Sequence, residues 1–347
     1  MKSNWTLVFA AMLLACFPSQ LFGGQPTDID NDGRSELIVV RIVGGQMYWY
    51  ITPVDNDTSR MPAHYNDAVL AGRNAVWVAW GRSGDQPLLA DVSGDGLPEF
   101  IVYRPSEGNW YILWSGWNGS LVVHFPGTGL PQAVQFDDDG KADLAFIDIL
   151  NQRGTYRSSK DGTINSSPFD YNYGIGNRVY IDLRVVSRFT YPMVSGEWGA
   201  ITEPYMYNHG KGTKLFRQFS GTVGVVGENY PAVPLFGDFI GGPKIETGNF
   251  IGGRWQLWSQ GDWELLQTEY FGIAGDIPIN GDFDGDGKID KALWRQETVG
   301  IDSTYYIKFS SPNSASQAVS WGWAPHAGGF SCKWGFNSDT VMGRFEY

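Results

Sequence analysis

Hydrophobic positions along this chain come in short runs rather than at helical spacing. Leu37-Ile38-Val39-Val40-Arg41, a Gly44-Gly45 turn and Met47-Tyr48-Trp49-Tyr50-Ile51 form one such unit. β-branched and aromatic residues suit the pleated, half-buried surface of a sheet, and glycine suits the tight turns between strands. The same order returns at Phe100-Ile101-Val102-Tyr103-Arg104 with Trp110-Tyr111-Ile112-Leu113, and at Ala292-Leu293-Trp294-Arg295 with Tyr305-Tyr306-Ile307. The pattern predicts an all-β fold of short paired strands and no long helix.

Each unit is preceded by an acidic loop of the form D-x-D-x-D-G-x-x-D/E. The first holds Asp28, Asp30, Asp32, Gly33 and Glu36; the second Asp91, Ser93, Asp95, Gly96 and Glu99; the last Asp282, Asp284, Asp286, Gly287 and Asp290. A further copy has Gln135 in the first position, then Asp137, Asp139, Gly140 and Asp143 ahead of Leu144-Ala145-Phe146-Ile147. Two copies have decayed: Gly237-Asp238-Phe239 keeps the start and Trp255-Gln256-Leu257-Trp258 the aromatic strand, while Ser195-Gly196-Glu197-Trp198 has no carboxylate cluster.

Six starts at roughly 50-residue intervals match the four-stranded blade of a β-propeller. Six blades are therefore expected, or seven if an unmarked blade lies in 54–78 or 152–188. Asp339 to Tyr347 reads as the start of another copy, and the first copy begins almost at its acidic loop. A C-terminal strand donated to the first blade would close the ring and remove its exposed edge.

In such a loop the side chains at positions one, three, five and nine converge on one point. A main-chain carbonyl at position seven (Arg34, Leu97, Lys141 or Lys288) adds a further oxygen. All-oxygen donors without Cys or His point to calcium. Position twelve is Val39, Val102, Phe146 or Leu293, so the loops are not EF-hands, which need a bidentate Glu there. Asp and Gly also favour turns without any metal, but four loops in the same phase of one repeat favour a site whose ion staples the hairpin.

These residues resemble the FG-GAP/VCBS repeat family, most clearly at Gly281-Asp282-Phe283-Asp284-Gly285-Asp286-Gly287 and at Tyr103-Arg104-Pro105 with Trp110-Tyr111-Ile112. The resemblance implies a propeller related to the integrin α-chain head, calcium in the blade loops, and exported or surface proteins; it implies no single activity.

Composition agrees with a large all-β domain: 347 residues include 45 Gly, 15 Trp, 17 Tyr and 20 Phe. A net charge of −12 argues against a nucleic-acid partner. Lys2, the apolar run Thr6 to Ala15 and the small residues after it read as an export signal, too short to span a bilayer. Two processing routes are open. Residues 1–24 are a signal peptide and 25–347 one propeller domain; or Leu13-Leu14-Ala15-Cys16, which resembles a bacterial lipobox, is cut before Cys16 and that cysteine is lipidated. The expected location is outside the cell, secreted or on the envelope surface, with the lipid as the sole membrane attachment in the outer-membrane lipoprotein version. Cys332 then stands alone, and packing beside Phe330 and Trp334 is its expected role.

Functionally the chain reads first as a binding or adhesion module for a surface glycan or protein. Trp114, Trp117, Trp321 and Trp323 are its ligand candidates, because planar rings stack on sugar faces; Trp49, Trp110 and Trp255 are expected in the core. The alternative is a polysaccharide lyase or glycosidase, for which Tyr207 and His209, near Glu203, are the weak catalytic candidates. A third reading is a structural component of an envelope assembly. There is no H-E-x-x-H or G-x-S-x-G motif.

Overall fold

The structure is a computed structural model. It describes 27–343 apart from 117–118, 135–138, 149–152, 169–180, 185–188, 193–197, 202–204, 209–212, 218–222, 227–232, 242–245, 260–263, 298–301, 312–313 and 327–328. Residues 1–24, with Cys16, lie outside the described residues.

The strands follow the aromatic repeat. The first sheet contains β1 (Leu37–Val43), β2 (Gln46–Thr52), β3 (Asn66–Leu70) and β4 (Arg73–Arg82). The second is β5 (Gln86–Ala90), β6 (Glu99–Arg104), β7 (Asn109–Leu113) and β8 (Ser120–His124). The third is β9 (Leu130–Val134), β10 (Asp143–Asp148), β11 (Arg153–Arg157) and β12 (Ile164–Pro168). Next come β13 (Ile181–Arg184), β14 (Phe189–Pro192), β15 (Trp198–Ile201), β16 (Tyr205–Asn208), β17 (Thr213–Arg217) and β18 (Val223–Val226). Another meander follows in β19 (Val233–Gly237), β20 (Glu246–Ile251), β21 (Arg254–Ser259) and β22 (Leu265–Tyr270). The last sheet has β23 (Ile277–Ile279), β24 (Lys291–Gln296), β25 (Asp302–Lys308), β26 (Ala324–His326) and β27 (Gly329–Phe336), with a short helix α1 (Ser314–Ser320) between β25 and β26. A final strand β28 (Thr340–Val341) pairs with β1, Val39 opposite Val341 and Val40 opposite Thr340.

The chain is an all-β propeller, because the sheets pack face against face. One core cluster joins Leu37 and Val39 of the first sheet to Trp294, Tyr305 and Trp334 of the last. A second joins Trp49 and Ile51 to Phe100 and Val102, a third Trp110 to Leu144 and Phe146, and a fourth Trp255 and Leu257 to Leu293. In these clusters each apolar face is thus covered by a neighbouring blade rather than by a helix layer. Trp49, Trp110 and Trp255 are fully buried, as their place in the repeat predicts. Their Nε1–H groups donate to the carbonyls of Trp80, Phe125 and Phe271 at 2.9, 3.0 and 2.8 Å, which satisfies the one polar atom each ring takes into the core.

The propeller has five blades rather than the six or seven expected. The correction lies between β13 and β18. There the sheet order is β13-β16-β17-β18, and the hairpin β14–β15 is inserted after the first strand, so this segment is not a simple four-stranded meander. The start expected at Ser195-Gly196-Glu197-Trp198 falls on that hairpin, with Trp198 opening β15 and the three residues before it outside the described set. Neither segment proposed for an unmarked blade is one. The stretch 54–78 completes the first sheet with β3 and most of β4, and the described parts of 152–188 hold β11, β12 and β13. Among the described residues no sheet closes on itself; β28 and β1 instead pair in the first blade.

A repeated clamp fixes that junction. Arg41 Nε and Nη2 donate to Asp339 Oδ1 and Oδ2, both at 2.7 Å. Arg104 holds Asp85 at 2.8 and 2.9 Å, and Arg295 holds Asp276 at 2.6 and 2.8 Å, in the same bidentate way. The arginines stack on Tyr50, Tyr111 and Tyr306 at 4.9, 4.2 and 4.2 Å from the ring centroids. Four residues before each aspartate is a left-handed glycine: Gly335 (φ +86°), Gly81 (φ +93°) and Gly272 (φ +104°). A Cβ there would approach the aspartate carboxylate, so the turn requires glycine. Asp339 therefore does for the first blade, from the far end of the chain, what Asp85 and Asp276 do locally.

The Asp339 side chain has no solvent exposure and that of Arg41 is 14 % exposed, so removing one partner strands a buried charge. Asp339→Ala is expected to lower the unfolding free energy in urea by about 3 kcal/mol, whereas Asp302→Ala, in the exposed pair with Lys333, is expected to cost less than about 0.5 kcal/mol. Equal effects would mean that the clamp does not hold the closure.

Candidate functional site: acidic corners and an interblade cavity

The acidic loops lie between the first and second strands of their blades and are built alike. At position six the backbone is left-handed at Gly33, Gly96, Gly140 and Gly287, with φ between +86° and +91°, a bend glycine makes without steric cost. The next N–H then turns inward: Arg34, Leu97, Lys141 and Lys288 each donate to the position-five aspartate at 2.9 Å. The position-one aspartates also collect main-chain donors. Asp28 accepts from Gly33 at 3.1 Å, Asp91 from Gly96 at 2.8 Å and Asp282 from Gly287 at 2.8 Å.

Carboxylate oxygens of Asp28, Asp30, Asp32 and Glu36 lie within 4.8 Å of one another, as do those of Asp91, Asp95 and Glu99 and those of Asp282, Asp284 and Asp286. Three of the four expected loops thus converge as the spacing predicts. Ser93 stays within the second loop, its hydroxyl 3.3 Å from Asp91 Oδ1. Asp290 is outside the last group: its oxygens accept from Phe283 N at 2.8 Å and Ser310 N at 2.6 Å. In the copy with Gln135, Asp137 lies outside the described residues, while Asp143 accepts from Ser159 N at 2.7 Å and Asp139 from the Ser159 hydroxyl at 3.0 Å. Aspartate at position nine, one methylene shorter than the glutamate of the first two loops, is in both cases tied to the main chain of a serine just past the following two strands.

Neighbouring corners are joined through the main chain. The position-eight N–H of Ser35 donates to Asp282 O at 2.7 Å, that of Ala142 to Asp91 O at 2.7 Å, and that of Ile289 to Asp238 O at 2.6 Å. The second loop has Pro98 at this position and no N–H to give. The contact from Ser35 to Asp282 sets the first blade beside the last.

Burial concentrates the charge. It pushes Asp282 up to about 7, with Asp284 and Asp286 adding and the N–H groups of Gly287 and Gly285 opposing. Glu99 is pushed up to about 7 and Asp28 to about 6, again by burial first and then by neighbouring acids. Glu36 and Asp290 are held well above the usual carboxylate range, chiefly by burial. Two like charges at such a separation repel by about 3 kcal/mol at an effective dielectric constant of 20, so an ionised cluster calls for a cation. The donors are all hard oxygens, which fits a divalent ion of the calcium type. The first corner also has cations of its own. Arg60 reaches Asp30, Asp32 and Asp55 at 3.0, 3.0 and 2.8 Å, and Arg34 reaches Asp32 at 3.1 Å.

A cavity of about 670 Å³ opens between the first and last blades. Its walls include Asn56, Arg73, Glu297, Tyr306, Trp321 and Lys333. Trp321 is half-buried in that wall, where it packs against the core cluster and Arg34 lies over its ring, 5.3 Å from Cζ to centroid. Trp323 is not a ligand candidate: it is 2 % exposed and its Nε1 donates to Val54 O at 3.0 Å, which makes it interblade packing. Trp114 packs against the core beside Trp110, and Trp117 lies outside the described residues. His209 also lies outside them, and Tyr207 is described only as part of β16. Cys332 is buried, and its thiol is pushed up by that burial. Sequence reasoning missed Arg73, Glu297 and Lys333, for they belong to no repeat motif.

No family model matches the chain, and no curated protein does. Among solved structures it is similar to a lectin of Agrocybe aegerita described by its specific recognition of non-reducing terminal N-acetylglucosamine, at 11 % identity and a TM-score of 0.45, over 87 % of this chain and 95 % of that one. No helix among the described residues is long and apolar enough to cross a membrane.

The raised carboxyls set a pH dependence. Unfolded carboxyls titrate near 4, so the metal-free fold holds its extra protons most firmly between that value and about 7 for Asp282 and Glu99. Their contribution is fully present at low pH and is lost as pH rises through 7. In urea titrations with chelator the corners are expected to contribute less stability at pH 7.5 than at pH 5, and Asp282→Asn should flatten that difference. A pH-independent difference between wild type and Asp282→Asn would contradict the burial of charge at this corner.

Proposed function

We propose that this chain is an exported, calcium-stabilised propeller that binds a surface glycan, with the cavity between its first and last blades as the binding site. The observation that carries the binding reading is that cavity, with Trp321 in its wall and polar side chains around it; clefts of this size and mixed lining suit small ligands. Export is supported by the apolar N-terminal run after Lys2, with signal cleavage and lipidation at Cys16 as its two routes.

Calcium is supported by three oxygen clusters in phase with the repeat and by the resemblance to FG-GAP/VCBS blades. In this reading Asp28, Asp30, Asp32 and Glu36 hold one ion, Asp91, Ser93, Asp95 and Glu99 a second, Asp282, Asp284 and Asp286 a third, and Asp137 and Asp139 a fourth, with Asp143 held aside on the Ser159 main chain as Asp290 is on that of Ser310. The carbonyls of Arg34, Leu97, Lys141 and Lys288 complete the shells. The ion neutralises a buried corner that also bonds to its neighbour, so it staples adjacent blades and performs no chemistry.

Calcium at 100 times its dissociation constant stabilises the fold by about 2.7 kcal/mol per site. Calorimetry is therefore expected to show a midpoint that rises with calcium and falls with chelator, and a smaller rise in Asp284→Ala. No change with chelator would remove calcium from the account. On a glycan array the wild type is expected to bind and Trp321→Ala to lose binding. Breakdown of a polysaccharide would make the chain an enzyme instead.

A further inference from the structure

We infer that the interblade cavity takes a saccharide bearing a carboxylate, a uronic acid in its simplest form; this rests on the glycan-binding reading and deepens it. The reason is Arg73. This residue opens β4 at the cavity wall and is only 6 % exposed. Its guanidinium has no carboxylate partner among the described residues. Nη1 donates to Trp321 O at 3.1 Å, and Nη2 donates to Pro53 O and Val54 O at 3.0 and 2.8 Å. Its Nε is buried and has no hydrogen-bond partner. The Trp323 ring lies beside it, 5.7 Å from Cζ to centroid.

Every other well-buried arginine clamp in the described fold, at Arg41, Arg104 and Arg295, is matched to an aspartate. Arg73 is held by carbonyl dipoles and lies against the Cys332 thiol, neutral groups that orient a guanidinium without neutralising it. A buried cation with no counter-ion is costly, and the cost falls when an anion enters the adjoining space. Lys333 supplies a second positive charge at the rim, where its side chain is 68 % exposed and only loosely paired with Asp302 at 3.6 Å.

Among the described residues one acid lines the cavity, Glu297, and it is already engaged by the Tyr306 hydroxyl at 3.0 Å. Its remaining acceptor capacity, with the Asn56 amide, suits sugar hydroxyls rather than a second carboxylate. The lining therefore carries two cations and one anion in a chain whose net charge is −12. A ring to stack on, acceptors for hydroxyls and an uncompensated positive wall together describe an acidic sugar better than a neutral one.

The test uses the full mature chain with calcium present. Galacturonate, glucuronate and mannuronate trisaccharides are each compared with their methyl esters by titration calorimetry. The ester removes the charge and leaves the ring in place. At least one free acid is expected to bind roughly tenfold tighter than its ester, with the gap shrinking as salt is added. Lys333→Ala, on the exposed rim, should weaken the acid about threefold more than it weakens the ester. Glu297→Gln should strengthen the acid. Arg73→Gln should abolish the preference; should it fail to fold, Lys333→Glu serves in its place.

Esters that bind as tightly as acids would overturn the charge preference while leaving the glycan reading intact. Binding of neutral glycans undisturbed by Trp321→Ala would overturn this cavity as the site. No binding to any saccharide, here or on the array, would overturn the glycan reading itself.

Discussion

Like charge held in a confined corner governs this fold. Three of the acidic loops gather three or four carboxylates within 4.8 Å, and their left-handed glycines and inward N–H groups hold the position-one and position-five aspartates in place. The same corners hand a hydrogen bond to the neighbouring blade, from Ser35 to Asp282, Ala142 to Asp91 and Ile289 to Asp238. Whatever neutralises the carboxylates therefore acts on the seams between blades as well as on single hairpins. A corner can answer with protons, with an ion, or with a side chain. The first corner brings in Arg60 and Arg34, so it differs electrostatically from the second, whose Asp91, Asp95 and Glu99 have no such pairing among the described residues.

The opposite ends of the inner strands use the reverse solution, a matched pair. Arg41, Arg104 and Arg295 each grip an aspartate that opens the preceding strand, and each lies over a tyrosine of the following strand. In two blades the aspartate is 19 residues upstream; in the first it comes from the other end of the chain. That equivalence is why a two-residue strand, β28, can complete the first blade: the clamp, the glycine turn and the core contact of Val341 arrive with it.

Local features were legible in the sequence, and features assembled from distant segments were not. The acidic loops could be read because ligand, glycine and strand follow within a few residues, and the core tryptophans because they recur in phase. The blade count misled because the hairpin β14–β15 leaves no mark in the acid pattern, and the segment carrying it has no acidic loop of its own. Asp290 looked like a ligand by position, yet a shorter side chain than Glu36 or Glu99 ties it to Ser310. The aspartate clamps did leave a signal, Gly-x-x-x-Asp at Gly81–Asp85, Gly272–Asp276 and Gly335–Asp339, that reading for metal ligands overlooks. The cavity left none. Asn56, Arg73, Glu297, Trp321 and Lys333 come together only when the first and last blades meet, and Trp321 differs from Trp323 in burial, not in context.

Anomalous diffraction from crystals grown with calcium tests the central claim most directly. The account predicts density peaks between the carboxylates of Asp28, Asp30 and Asp32, of Asp91 and Asp95, and of Asp282, Asp284 and Asp286, each ringed by oxygens at about 2.4 Å. Corners occupied only by water, with the carboxylates protonated or turned outward to solvent, would contradict it.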